Sequence, residues 1–337
     1  MKIQKLIKVL LAFFLLLAAS FLLLSMIFLN YVESPVEFIE RYVTVEIPPG
    51  ASFYDVTDIL RKKGLIRYKE AFYFLALVEK APERIKAGEY ELTSSMSPSD
   101  ILDKLVEGKV KGYRVPIPEG FTIRQIAARL AANRLADEKR FIDSAHDEGL
   151  ISSLDIKGES VEGYLFPDTY VLSRSMGEEK IIRFMVAQLR RKITFEMSER
   201  MGEIGLSMRE VLTLASIIEK EGGSGEEKPL ISAVFHNRLK RGMKLQSDPT
   251  VIYDIEDFDG NITKKHLVRK TPYNTYRIRG LPPGPICNPG MDAIVAALYP
   301  APVNYLYFVS KNNGAHQFSS NLSDHNKAVI RYQIKRK

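Results

Sequence analysis

Met208-Arg-Glu-Val-Leu-Thr-Leu-Ala-Ser-Ile-Ile-Glu-Lys-Glu-Gly-Gly223 is the stretch around which the rest of the chain is organised. Val211, Leu212, Leu214, Ala215, Ile217 and Ile218 make a helix that is apolar on most sides, and a helix like that is buried. Gly222-Gly-Ser-Gly225 must break it. Glu219 therefore falls at the helix's C-terminal end, beside apolar surface and facing the negative end of the helix dipole. Both effects favour the protonated carboxyl. A free Glu is protonated about once in 500 at pH 7, whereas a pKa of ~6 makes that about one in ten, which suits a proton donor. Burial alone leaves the alternative of a misplaced structural charge open. Glu221 lies two residues on, off the Glu219 face, and reads as a solvated or supporting charge. Past the break, Ser224 or Glu226 opens another helix with Pro229 in its first turn. Gln246 and Asp248 then precede a Pro249-Thr250 helix start. N-cap chemistry accounts for them without a ligand, and substrate contact is the competing reading.

Outward from this centre, 337 residues can bury a full core and hold two or three domains. A net charge of +7 is mild for that length, and the basic residues are spread out, so there is no nucleic-acid footprint. Cys287 is the only cysteine, which excludes a disulfide framework. The five histidines show no metal-ligand spacing, and His236 reads as a surface or structural residue. Nothing calls for a metal or a cofactor.

Residues 9–30 are almost unbroken Leu, Phe, Ala, Val and Ile, enough for a helix to span the ~30 Å hydrocarbon core. Lys2, Lys5 and Lys8 precede this run, and Glu33, Glu37 and Glu40 follow. The positive-inside rule predicts a cytoplasmic tail over residues 1–8, one transmembrane helix, and the remainder outside the inner membrane. The competing signal-peptide reading lacks a clean A-x-A site, and the run is longer than an ordinary h-region.

The body reads as α+β. After a short polar spacer, Val43 to Ile47 alternates as a strand, and Pro48-Pro-Gly50 turns into a helix capped by Ser52. A second helix covers Lys69 to Leu77, Gly88 to Leu92 returns as a strand, and Ser97-Pro98 opens a helix that Gly108 ends. Val45-Glu-Ile-Pro-Pro-Gly50 is echoed by Val115-Pro-Ile-Pro-Glu-Gly120, which suggests two related strand–helix units. One long helix is predicted from Glu178 to Met201. Residues 271–290 are dominated by turn formers, and a loop that long inside a domain is usually functional. Asn304 to Ser310 and Ala315 to Ser320 read as a hairpin around Asn312-Asn-Gly314, and a final helix runs from about Ser323.

Glu162-Gly-Tyr-Leu-Phe-Pro-Asp-Thr-Tyr170 combines aromatic rings with carboxylates, the materials of a sugar cleft, although a hydrophobic turn beneath the core has the same composition. Taken with Leu214 to Glu221, Leu245-Gln-Ser-Asp-Pro-Thr-Val-Ile-Tyr253, Tyr273-Asn-Thr-Tyr276, Gly280-Leu-Pro-Pro-Gly-Pro285 and the His316, Phe318, Asn321 and His325 tail, it closely resembles the endolytic murein transglycosylase (MltG/YceG-like) family. The likeness runs from the membrane helix to the C-terminus. It implies a lyase that cuts the β-1,4 MurNAc–GlcNAc bond of nascent peptidoglycan strands and leaves 1,6-anhydro ends, limiting strand length. The family's catalytic glutamate falls on Glu219, as acid and then base. The same resemblance implies a LysM-like peptidoglycan-binding module over residues 43–111 and a catalytic domain over 112–337. Substrate contacts are expected from Glu162, Tyr164, Asp168, Gln246, Asp248, Asn274, Tyr276, His316 and Asn321. Peptidoglycan synthases such as penicillin-binding proteins are the implied partners, besides glycan strands and the inner membrane. Two rivals stand beside this expectation: a non-catalytic peptidoglycan-binding scaffold, and a two-carboxylate muramidase pairing Glu219 with Asp168 or Glu162.

Overall fold

The structure is a computed structural model describing residues 2–222, 225–255, 258 and 260–334. The chain divides into two compact units, one reaching to Tyr113 and including Ser173–Ser175, the other comprising Arg114–Leu172 and Met176–Lys337.

The first unit begins with α1 (Lys2–Glu33), which contains a stretch long and apolar enough to cross a membrane, with its apolar side chains exposed. The helix outlasts the apolar run that predicts it. Its last two turns belong to the core: Val32 is buried, the Phe28 ring meets Phe74 at 5.1 Å, and Tyr31 meets Tyr68 at 5.9 Å. Strand β1 (Tyr42–Ile47) buries every second residue, Val43, Val45 and Ile47. Helices α2 (Phe53–Lys62) and α3 (Lys69–Val78) follow, and β2 (Gly88–Thr93) returns antiparallel to β1, with Val45 opposite Tyr90. Ser52 and Ser97 close capping boxes with Asp55 and Asp100, starting α2 and α4 (Pro98–Glu107). Gly108 ends α4, as the sequence predicted, and does so in the left-handed conformation.

The second unit opens on the echo of that arrangement. Strand β3 (Tyr113–Pro116) leads through Gly120 (φ 75°) to α5 (Ile123–Ala132), whose Thr122–Gln125 capping box repeats the one at Ser52. Helices α6 (Glu138–Ala145) and α7 (Glu148–Ser153) come next, then β4 (Thr169–Leu172), which pairs with β3. The single long helix expected after it is two: α8 (Glu178–Lys192) and α9 (Phe195–Ile204). Ile193 is extended, and the Thr194 hydroxyl accepts from Met197 N, so a cap restarts the helix where apolar periodicity alone showed no break.

Helix α10 (Met208–Glu221), started by a Ser207–Glu210 capping box, runs through the core with every residue from Val211 to Ile218 buried. It packs chiefly on α14 (Met291–Leu298), after α11 (Lys228–Lys240), α12 (Pro249–Ile252) and α13 (Lys264–Val268). Ser224, one of the two expected openings of α11, lies outside the described residues; the position before the helix is Glu227 rather than Glu226. The predicted hairpin is present as β5 (Tyr307–Ser310) and β6 (His316–Ser319), antiparallel with Phe308 opposite Phe318. Helix α15 (Leu322–Val329) and a π-helical turn, Ile330–Ile334, complete the described chain.

Candidate active site

The C-terminal end of α10 is fixed from three sides. Ser216, fully buried on the helix, accepts from Ile286 N at 3.0 Å through its hydroxyl, and its carbonyl faces the Cys287 thiol at 3.4 Å. These contacts hold the loop before α14 against α10, and Gly290 N–H then donates to Glu219 Oε2 at 3.1 Å. From α11, Lys228 Nζ donates to both oxygens of Glu219, at 3.2 and 3.1 Å. Gly120 abuts the stem of the same side chain: a Cβ on it would lie 3.5 Å from Glu219 Cγ, and its φ of 75° suits glycine. Glu219 keeps 11% of its side chain exposed and Lys228 keeps 9%, so the pair is sheltered but reachable. The isolated carboxyl expected between apolar surface and a helix end thus has a cation and a backbone donor for neighbours. Burial of α10 was legible from its own residues; the cation arrives from another helix.

The environment expected for Glu219 surrounds Glu221 instead. Burial pushes the Glu221 carboxyl up to about 7; the Ser247 hydroxyl opposes the rise, and the Asp248 charge adds to it. Of the two readings of Glu221, solvated or supporting, the solvated one gives way, because the Ser247 hydroxyl donates to its carboxyl. Two expected site residues flank Ser247, and a third orders the neighbouring loop. Gln246 holds a φ of 51°, an uncommon conformation for a residue with a side chain, and its N–H donates to Thr275 O at 3.2 Å. Asp248 accepts from the Tyr276 hydroxyl at 2.6 Å. Asn274 is buried and shapes the loop that carries Tyr276: its amide donates to Arg269 O at 2.6 Å and its carbonyl accepts from Tyr276 N at 3.0 Å.

Glu162 is buried at the N-terminus of α5. Ile123 N–H meets both its oxygens at 3.2 Å, Asn288 Nδ2 donates at 2.7 Å and Tyr253 OH at 3.2 Å. Burial outweighs these donors and pushes the carboxyl up to about 7. Glu162 and Tyr253 also line a cavity of about 330 Å³ with His146 and Asp254. Asn288 organises the neighbourhood: besides Glu162 it bonds Phe121 O at 2.9 Å, and its Oδ1 accepts from Gly163 N and Leu165 N at 2.9 and 2.8 Å. One short loop, Asn288 to Gly290, therefore touches both Glu162 and Glu219.

The other expected residues have partners of their own. Tyr164 is buried, and Asp168 accepts from Gln188 at 2.7 Å. His316 places Nδ1 2.8 Å from Glu227 Oε2 and donates its backbone N–H to Oε1 at 2.9 Å, one residue before Lys228. Asn321 caps α15 and, with Tyr305, Phe318, Lys327 and Arg331, lines an open cavity of about 500 Å³. His236 is half-buried against Ala297 O at 2.8 Å, and burial lowers its pKa.

Sequence reasoning missed Lys228, Asn288 and Glu119. Glu119 lies in the echoed turn, with its nearest oxygen 3.9 Å from Lys228 Nζ. Its signal was present: a glutamate stands where the first copy has Pro49. Lys228 had none, since Glu226-Glu-Lys228 reads as an ordinary charged helix start.

The YceG-like family model matches residues 45–331. The endolytic murein transglycosylase of Bacillus subtilis (strain 168) is 35% identical over 306 residues, covering 86% of this chain and 84% of that protein. The endolytic murein transglycosylase of Streptococcus pneumoniae (strain ATCC BAA-255 / R6) is 33% identical over 325 residues, covering 87% of this chain and 59% of that longer protein. Among solved structures, a yceG-like protein from Listeria monocytogenes superposes with a TM-score of 0.59 at 35% identity, covering 86% of this chain and all of that one.

Proposed function

The chain belongs to the YceG-like family, and on that premise we propose that it is an endolytic peptidoglycan lytic transglycosylase with Glu219 as its proton carrier. The observation that carries the proposal is the setting of Glu219: a sheltered carboxyl at the end of a core helix, gripped by Lys228 Nζ and the Gly290 N–H. In the first half of the reaction Glu219 gives its proton to O4 of the departing GlcNAc as the bond to MurNAc C1 breaks. The charge left on Glu219 is met at once by the ammonium and the amide, which need no reorganisation. In the second half the MurNAc C6 hydroxyl attacks C1, its proton passes to Glu219, and the 1,6-anhydro ring closes. Being intramolecular, this attack outcompetes water through effective molarity, so no second carboxylate is required.

A rival, hydrolytic reading takes support from Glu119, the carboxylate that shares Lys228 with Glu219. A hydrolase leaves reducing ends, whereas a transglycosylase leaves anhydro ends. With α1 crossing a bilayer and Lys5 and Lys8 on the cytoplasmic side, the chain after α1 lies outside the cell membrane, where glycan strands are made. In this reading the first unit is the LysM-like module that touches peptidoglycan, and synthases such as penicillin-binding proteins are the neighbouring enzymes.

The test is Glu219→Gln, with mass spectrometry of the glycan products. The variant is expected to fold and to form no anhydro-ended strands; undiminished anhydro product from it sinks the proposal.

A further inference from the structure

The Val115-Pro-Ile-Pro-Glu-Gly120 turn repeats the first unit's Pro-Pro-Gly turn in backbone and cap, yet replaces its second proline by Glu119. A turn needs no carboxylate there. Glu119 is 52% exposed, whereas Lys228 and Glu219 are 9% and 11% exposed, so Glu119 is the solvent-facing member of the trio. Its carboxyl lies over Gly290, the residue whose N–H holds Glu219: a Cβ on Gly290 would fall 2.1 Å from Glu119 Oε1.

We propose that Glu119 is a positioning residue of this site, which sets the pH range of proton exchange at Glu219 by sharing the Lys228 ammonium with it. The inference rests on the reading of Glu219 as proton carrier. Lys228 Nζ sits 3.1 Å from Glu219 Oε2 and 3.9 Å from Glu119 Oε2, so one ammonium is divided between two carboxylates. A negative Glu119 draws the ammonium away from Glu219 and also repels charge there. Both effects help Glu219 regain a proton between turnovers. Burial and then the Glu219 charge raise the Glu119 carboxyl, against the pull of Lys228.

Among the described residues, the charged and titratable groups near Glu219 and Glu119 come from several elements: Lys228 on α11, Glu119 before α5, the buried Cys287 thiol in the loop before α14, Lys220 on α10 itself, and Asp292 in the first turn of α14, whose charge acts on Glu119. Lys220 donates to Gly120 O at 3.2 Å and so fastens the Glu119 turn to the catalytic helix.

The experiment compares the full-length wild type with Glu119→Gln and Glu119→Asp in detergent micelles, using uncrosslinked glycan polymer as substrate. Anhydro-ended product is measured against pH. In parallel, the carboxyl carbon of Glu219 is titrated by NMR, assigned by its absence from Glu219→Gln. The NMR readout needs no activity. For Glu119→Gln the basic limb of the rate profile and the Glu219 midpoint are expected to fall together by about half to one pH unit, as for two partly screened charges. Relative to its own optimum, the variant then loses about threefold to tenfold more activity above the limb than wild type does. Glu119→Asp is expected to recover most of the shift. An unmoved midpoint and limb in Glu119→Gln, with Glu219→Gln inactive, overturns this inference alone. Undiminished anhydro product from Glu219→Gln overturns the underlying reading, and this inference with it.

Discussion

Replacing Lys228 by Met deletes the ammonium from both oxygens of Glu219 while keeping a side chain of similar length. Glu219 is then left with the Gly290 N–H as its hydrogen-bond donor among those described, in a setting where 11% of its side chain meets solvent. Breaking a buried ion pair by removing one partner costs about 3–5 kcal/mol, and the residual exposure of this pair places the effect near the lower end, about 3 kcal/mol. For a domain the size of the second unit, each kcal/mol moves the melting temperature by about 2–4 °C, so Tm is expected to fall by about 6–12 °C at pH 8. The basic limb of the rate profile should move the opposite way from that of Glu119→Gln, because a carboxyl without its cation keeps its proton to higher pH. Lys228→Arg retains the charge and serves as the control. Thermal unfolding at pH 8 and product analysis across pH measure both effects. A Lys228→Met protein that melts within about 1 °C of wild type, with its limb unmoved, refutes the claim that this cation holds the Glu219 carboxyl.

Two further substitutions test the neighbouring groups. Glu221 is pushed up to about 7 from an ordinary value of 4.5, so between those values the folded protein keeps a proton that the unfolded chain releases. The stability it contributes is complete below about 4.5 and is lost as pH rises through about 7, by roughly 3 kcal/mol. Glu221→Gln removes that titration and still offers an acceptor to Ser247, so it should melt higher than wild type at pH 8 and show little gain near pH 4.5; a pH-independent difference counts against the argument. Asn288→Ala strands the Gly163 and Leu165 N–H groups and takes a donor from Glu162. Urea unfolding should show a loss of about 3 kcal/mol or more, and a loss below about 1 kcal/mol would mean that water replaces these bonds freely.

What could be read from the sequence was local. Ser52, Ser97 and Gly108 mark helix ends because a hydroxyl cap and a left-handed glycine act within a few residues. The β5–β6 hairpin was legible for the same reason, and α10 declared its burial through its own side chains. The echoed strand–turn–helix was visible as a repeat, and the structure gives both copies the same cap and a positive φ at Gly50 and Gly120. Electrostatics did not transfer. The helix end predicted what should happen to a carboxyl there, but which carboxyl feels it depends on chain brought from elsewhere. Lys228, nine residues on, reaches Glu219, whereas Ser247 closes over Glu221. Likewise, nothing in the residues from Glu178 to Met201 announced that the Thr194 hydroxyl would win over continued helix.

The last two turns of α1 pack into the first unit's core through Phe28, Tyr31 and Val32. A helix of 32 residues is about 48 Å long, against a hydrocarbon thickness of about 30 Å. With α1 in a bilayer and residues 2–8 on its cytoplasmic side, the turn that remains beyond the lipid is a stiff post rather than a leash. A floppy tether would let the first unit sweep a hemisphere and sample glycan at many depths of the wall. A post of about one turn, roughly 5 Å, fixes its altitude close to the lipid. On the proposed reading of the first unit as a peptidoglycan-binding module outside the membrane, it would act as a height gauge, meeting strands that are still close to the membrane and passing beneath those that have moved outward.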